Sequence, residues 1–386
     1  MTSKQTLAAG GIVGLSLSDV TTEEGFRRLR EEWTELVEKD ERATIFQTWE
    51  FQYHVWCSQP ESVDLRVVLV RDRSGELVGC APLGVQPRRV GGITVRVLGF
   101  ACLKLCDYSD FIVSCDRAAD VLAALALWLN ENSQKWDLIR FRPIREDSWI
   151  NDEHLFLSNV DATFHRNLYD VAPYLKFERE WQSYEDALGK KSAKTMRYKV
   201  NKLSRRFDGR FQEVGDSASL HQGFEQTVEL HQKRMRQKSQ PGAFADSNVR
   251  EGFHVLLESM WPQGYAKIHR IASDNSCIAS LLTLEFRGKV YYYQGGFDPS
   301  YHQLSPGLVI HALRINQALS DVASEYDFLI GDEPYKSQFA NGKRSVYRIE
   351  ISTGSRKVFL LYAWEALRSQ LVQSKLVRAL YLSFRG

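Results

Sequence analysis

One order of elements occurs twice in this chain, and the repetition limits the folds open to it. In the first half, LRVVLV (65–70), the turn RDRSGE and LVGCAPLGV (77–85) read as a β-hairpin, because β-branched runs flank a polar, glycine-containing turn. ITVRVLGF (93–100) and SDFIV (109–113) continue as strands, a helix is predicted over about 117–133, and a further strand begins at Asp137 in WDLIRFRPI. In the second half, YAKIHRIA (265–272), the turn SDNS and CIASLLTLEF (277–286) form the hairpin. Arg287 and Gly288 then turn into KVYYYQGG, a helix is predicted over about 306–321, and YDFLIG follows. Trp136, Asp137, Leu138 and Ile139 stand in the first half where Tyr326, Asp327, Phe328 and Leu329 stand in the second. Hairpin, helix and strand form a common α+β arrangement, but the shared aromatic and aspartate opening favours an internal duplication. The chain is therefore expected to fold as α/β (α+β), with two related halves in tandem.

Length agrees, since 386 residues exceed what one ordinary core accommodates. A net charge of +2 gives the molecule no polyelectrolyte character, so no DNA partner is expected and any attraction to anions must be local. The six cysteines form no paired framework, which predicts a reducing compartment. Cys102, Cys106 and Cys115 lack the partners of a tetrahedral zinc set, so no metal is expected. No apolar run approaches the roughly 20 residues of a membrane span. The early stretch LAAGGIVGLSL lacks a convincing cleavage site, and a cytoplasmic protein is expected.

The local positive charge lies between the halves. Over 190–207, Ala193, Met196, Val200, Leu203 and Phe207 recur at helical spacing, which leaves Lys190, Lys191, Lys194, Arg197, Lys199, Lys202, Arg205 and Arg206 on the remaining surface. The segment itself carries no acid, whereas solvated helix faces usually mix signs, and this points to an anionic ligand. A second helix, about 217–237, places Leu220, Phe224, Val228, His231 and Met235 on one stripe, with Arg234 beside His231. A histidine there suits either a hydrogen-bonded core position or proton transfer. Later, in YYYQGGFDPSYHQLSPGLVI, Ser305 is a helix cap, Pro306 a first helical residue and Gly307 an uncovered amide. Bare N–H groups at a helix start carry about half a positive charge and suit a phosphate.

LVGCAPL, DYSDF (107–111), WDLIRF, LHQKR (230–234), YYYQGGFDPSY, SPG and LIGDEPYK, taken in this order, resemble the CelD-type acetyltransferases of the GNAT superfamily, relatives of the FemAB peptidyltransferases. The similarity extends over roughly residues 20–352. It implies tandem GNAT-like domains, each a mixed, mainly antiparallel sheet flanked by helices. Residues 1–170 would form the first, 171–240 a helical connection with the basic helix, 241–352 a second, catalytic domain, and 353–386 a helical segment. The implied donor is acetyl-CoA or another acyl-CoA, held by Gln303, Ser305, Gly307, Leu308 and Val309. Here the sequence departs from the family loop Q/R-x-x-G-x-G/A, because QLSPGL puts Pro306 and Leu308 at the glycine positions. A FemAB-like alternative takes an aminoacyl group from charged tRNA, for which the basic helix is an electrostatic footprint.

Ionisable groups collect where YDFLIG ends, the strand mouth at which ligands of α/β sheets are held. On the resemblance, Asp332 or Glu333 is the general base, Tyr335 the acid, and His231 the next candidate base. Lys336, Arg234, Lys194, Arg197, Tyr293, Gln294, Asp298, Asp107 and Tyr108 are expected to contact substrate. DEPYK also reads as a plain helix start, capped by Asp332 with Pro334 at its first position. The implied acceptor is an amine or hydroxyl of a sugar or polysaccharide precursor. A rival of another class is a scaffold in polysaccharide synthesis machinery, docking through Leu360, Trp364, Leu367, Leu371 and Leu376 of the C-terminal segment.

Overall fold

Each hairpin forms where its β-branched runs place it: Asp64–Arg71 pairs antiparallel with Leu77–Val90, and Ala266–Ala272 with Cys277–Phe286. A third antiparallel strand follows, Ile93–Phe100 in one half and Lys289–Phe297 in the other. The helices Ala118–Glu131 and Pro306–Ser320 then cross over, so that Leu138–Arg145 lies parallel to Ile93–Phe100 and Glu325–Asp327 parallel to Lys289–Phe297. A parallel neighbour is out of reach of a tight turn, which is why a helix intervenes at the same place in both halves. The repeated order in the sequence is a repeated topology.

This computed structural model describes residues 4–5, 14–59, 63–102, 105–237, 239, 242, 244–352 and 354–373. Its two halves exchange strands. Thr163–Lys176 runs antiparallel to Glu325–Asp327, while Gly342–Ser352 runs antiparallel to Leu138–Arg145. The two long strands also pair with each other, from Thr163 opposite Ser352 to Tyr174 opposite Gly342. One continuous, mixed and mainly antiparallel sheet results, and residue 170 lies within one of the exchanged strands.

On one face of the sheet, helices of both halves share a core in which Phe26, Trp33, Phe46 and Phe51 join Phe224, Phe253 and Tyr291. On the other face, Ala118–Glu131 covers a first-half core, while Lys190–Arg206 and Pro306–Ser320 cover a second-half one. Local departures from the sequence reading have visible causes. SDFIV contributes only the strand Ile112–Val113, because Asp110 accepts the backbone N–H groups of Phe111, Trp149 and Ile150 in place of a sheet partner. Among the described residues, no helix is long and apolar enough to cross a membrane. Leu376 and residues 7–13 of the early apolar stretch lie outside the described residues.

Candidate active site

The second half opens into a fork. Lys289–Phe297 and Glu325–Asp327 pair only as far as Tyr291 opposite Asp327. Beyond this, the chain stays with the exchanged strand: Phe328 N–H donates to Pro173 O (3.0 Å) and Gly331 N–H to Val171 O (2.9 Å). Leu329 turns with φ +58°, a costly conformation for a leucine, and its N–H donates to Asp327 Oδ1 at 2.7 Å. Opposite it, a bulge inserts Tyr293 between the pairs Thr283–Tyr292 and Leu282–Gln294. Tyr292 and Tyr293 thereby reach the fork in succession.

Two cavities meet there. The first, about 260 Å³, is lined by Gly296, Phe297, Ser305, Gly307 and His311, among others, beside the start of the helix Pro306–Ser320. The second, about 330 Å³, is lined by Asp107, His231, Gln294, Glu333 and Lys336, among others. Arg234, Tyr292 and Tyr335 line both. Burial raises the Tyr292 hydroxyl above its ordinary range, and the Arg234 charge opposes that rise. Burial pushes the Tyr335 hydroxyl far above its ordinary range, reinforced by Tyr292 and Glu333, so it keeps its proton. His311 stacks on Tyr335 with ring centroids 5.5 Å apart and meets the edge of Tyr292 at 4.5 Å. Burial, then the charges of Lys336 and Arg234, lower its pKa to about 3, so His311 is neutral in any working buffer.

Asp107 is contributed by the first half. Burial raises its carboxyl to about 7; the Lys336 charge opposes that rise and the Asp327 charge adds to it. Lys336 is fixed in place, donating to Ile330 O at 2.8 Å and pairing with Glu333 at 2.8 Å. Among the described residues, a carboxylate, an ammonium and a carboxylate thus converge on one cavity from DYSDF and DEPYK.

The remaining candidates divide. His231 lines the second cavity, with Nδ1 3.4 Å from Gly295 O. Tyr293 and Gln294 also line it, the Tyr293 hydroxyl donating to Leu105 O at 2.8 Å. Asp332 turns outward to Lys343 at 2.6 Å and lines neither cavity. DEPYK forms no long helix, only the short turn Lys336–Gln338. Tyr108 is buried on Asp327, while Asp298 accepts the Ser300 N–H and pairs with Lys233 at 3.2 Å.

Ser305 lies at the predicted helix start but has φ +53° and makes no side-chain cap. Its carbonyl instead accepts the N–H groups of Leu308 (3.0 Å) and Val309 (3.1 Å), which removes two amides expected to face a phosphate. Pro306 has none, so Gly307 supplies the amide at this first turn. Gln303 is exposed, and its carbonyl accepts from Lys202 Nζ at 3.0 Å, which sets the basic helix against the rim of the first cavity. Arg197 is bound to Glu185 at 2.8 Å, an acid from outside the helix, whereas Lys194 is exposed. Sequence reasoning did not single out Tyr292 or His311; the one signal for His311 is its place one turn after Gly307.

Gly295 and Gly296 admit the helix Ser217–Gln237. A Cβ on Gly296 would stand 2.2 Å from the His231 nitrogen and 2.3 Å from the Leu230 carbonyl carbon, both backbone atoms. Gly296→Ala must push away the helix that carries His231 and Arg234. Overpacking of this kind costs about 1 to 3 kcal/mol. The expected result is a lower melting temperature, with an unperturbed Gly215→Ala control, since a Cβ on Gly215 meets nothing within 4 Å. An unchanged melting temperature for Gly296→Ala would refute the contact.

Residues 190–337, less than half of the chain, match the family described as Acetyltransferase (GNAT) domain. In overall structure the chain is similar to FemX, with TM-score 0.57 at 12% identity over 82% of this chain and 95% of that one. It is similar to L-PGS from Bacillus licheniformis, with TM-score 0.51 at 12% identity over 86% and 94%. It is likewise similar to the C-terminal domain of a putative lysylphosphatidylglycerol synthetase from Agrobacterium fabrum, with TM-score 0.54 at 11% identity over 89% and 96%. These likenesses show a shared fold. No curated protein matches the chain in sequence.

Proposed function

We propose that the chain is an acyltransferase that moves an acetyl or other acyl group from acyl-CoA to an amine or hydroxyl of a sugar or polysaccharide precursor. The observation that carries this reading is the meeting of two cavities at Arg234, Tyr292 and Tyr335 in the fork. A donor in the first cavity and an acceptor in the second would bring carbonyl carbon and nucleophile together there. The GNAT match over the same residues supports acyl transfer. The acceptor class rests on the CelD-type resemblance, and the polar lining of the second cavity suits a hydroxyl- or amine-bearing molecule.

Asp107 is the base we assign. Its carboxyl, raised to about 7, is matched to taking a proton from an amine or hydroxyl at neutral pH. The deprotonated nitrogen or oxygen bonds to the thioester carbon, the carbon–sulfur bond breaks, and the thiolate leaves to be protonated. A phenol with a pKa as high as that of Tyr335 is a weak acid, so its part is to donate a hydrogen bond to the developing charge, with Arg234 supplying positive potential. Glu333, tied to Lys336, holds the acceptor in this reading.

Calorimetry tests the donor. Acetyl-CoA or a longer acyl-CoA is expected to bind in the micromolar range, on the order of −8 kcal/mol, and more weakly as salt rises, because Lys202 and its neighbours meet the phosphates. The exposed basic helix beside the first cavity favours charged tRNA as the second reading. Heat with charged tRNA and none with any acyl-CoA would replace the first reading by that one.

A further inference from the structure

Away from the fork, the helix Arg356–Gln373 carries two apolar faces. Val358 and Leu361 are buried against Val95, Val97 and Leu138. Leu360, Trp364 and Leu367, four and three residues apart, point the other way and are 40–50% exposed, with Phe359 beside them at 73%. A helix apolar on both sides is built for two apolar surroundings, and the sheet supplies one of them.

The second surrounding is indicated by charge. A cavity of about 560 Å³ adjoins the same helix, lined by Arg88, Arg89, Arg140, Arg142, Trp364 and Arg368, among others. Arg140 is satisfied by Glu350 and Glu365. Among the described residues, Arg88, Arg89, Arg142 and Arg368 have no carboxylate within 4 Å; Arg88 donates to Gln86, and Arg142 lies over the Tyr169 ring. Four uncompensated guanidinium groups therefore border an outward apolar stripe that has a tryptophan at the boundary. Guanidinium groups bind phosphate oxygens, and indole settles where an apolar layer meets a polar one.

We propose that this surface docks on an anionic phospholipid bilayer, with the arginines on headgroup phosphates and Leu360, Trp364 and Leu367 in the acyl boundary. Charge complementarity selects the lipid surface, since apolar exposure alone would suit any apolar partner. The inference is independent of the proposed chemistry, for none of these residues lines the fork.

Vesicle sedimentation of the full chain tests it. The protein is expected to pellet with phosphatidylcholine vesicles containing one-third phosphatidylglycerol and to remain in solution with pure phosphatidylcholine. Arg88→Glu with Arg89→Glu should lower the partition coefficient by roughly tenfold or more. Trp364→Ser with Leu367→Ser should lower it separately, while Arg27→Glu with Arg28→Glu, an exposed pair on the helix Glu23–Arg28, should leave it unchanged. Circular dichroism would confirm that each variant is folded. Failure to pellet, equal pelleting with neutral vesicles, or wild-type partition in both patch variants overturns the proposal. Release by millimolar inorganic phosphate at constant ionic strength also overturns it, and would assign the arginines to a soluble anion.

Discussion

Asp107→Asn is expected to lower kcat at least a hundredfold without unfolding the protein. The substitution keeps the shape of the side chain and removes its basicity, and a positioned general base contributes about 10²- to 10⁴-fold. The pH profile carries the sharper signature. With a carboxyl raised to about 7, the wild type should lose activity as the pH falls through neutrality, and Asp107→Asn should lack that limb. Stability should move in the opposite sense. A carboxyl whose folded pKa exceeds its unfolded value binds more protons when folded, so its contribution is full below about pH 4 and is lost as the pH rises towards 7. At pH 8 the asparagine variant should therefore melt no lower than the wild type, and its melting temperature should depend less on pH between 4 and 7. Wild-type turnover in Asp107→Asn would remove the assignment and return the search to Glu333 and His231. Comparison with Glu333→Gln separates the roles, because a residue that holds the acceptor should raise KM more than it lowers kcat.

The hairpins and crossover helices were legible because they depend on short-range signals: β-branched runs around turns, and apolar stripes at helical spacing. The exchanged strands were not. Whether Thr163–Lys176 joins its own half or the other depends on register with residues more than a hundred positions away. The fork has the same difficulty, since it rests on a left-handed Leu329 that local preference argues against. At the site, the ionisable cluster in DEPYK was readable as a concentration of charge, and Glu333, Tyr335 and Lys336 do converge. Asp332 turns away to Lys343, a partner from the following strand that spacing does not reveal. Ser305 shows how a correct residue type can sit in an unexpected conformation: the left-handed turn removes its hydroxyl from capping and commits its carbonyl to the amides of Leu308 and Val309. His311 escaped notice because a lone histidine near an apolar helix stripe usually belongs to the core, as its buried ring in part does.

Arg344→Met is expected to destabilise the protein by about 3 to 5 kcal/mol at pH 8. Arg344 lies on the exchanged strand Gly342–Ser352 and pairs with Asp327 at 2.9 Å and with Glu325, both on the strand that ends at the fork. Asp327 also accepts from the Tyr108 hydroxyl of the first half at 3.0 Å. The guanidinium therefore neutralises two buried carboxylates where the halves meet, and methionine would leave both without it. Burial already raises Asp327 to about 6 while the Arg344 charge pulls it down, so loss of that charge must raise it further. A raised folded pKa gives stability that is complete below the unfolded pKa and lost as the pH rises, so the variant should lose least near pH 5 and most near pH 8. Adding Asp327→Asn to Arg344→Met removes one of the stranded charges and should restore part of the stability at pH 8. Because Asp107 senses the Asp327 charge, the same double variant should also shift the acid limb of activity downward. Denaturation of the single and double variants at the two pH values checks the network, and equal losses at pH 5 and 8 would show that Arg344 acts by packing, not by charge.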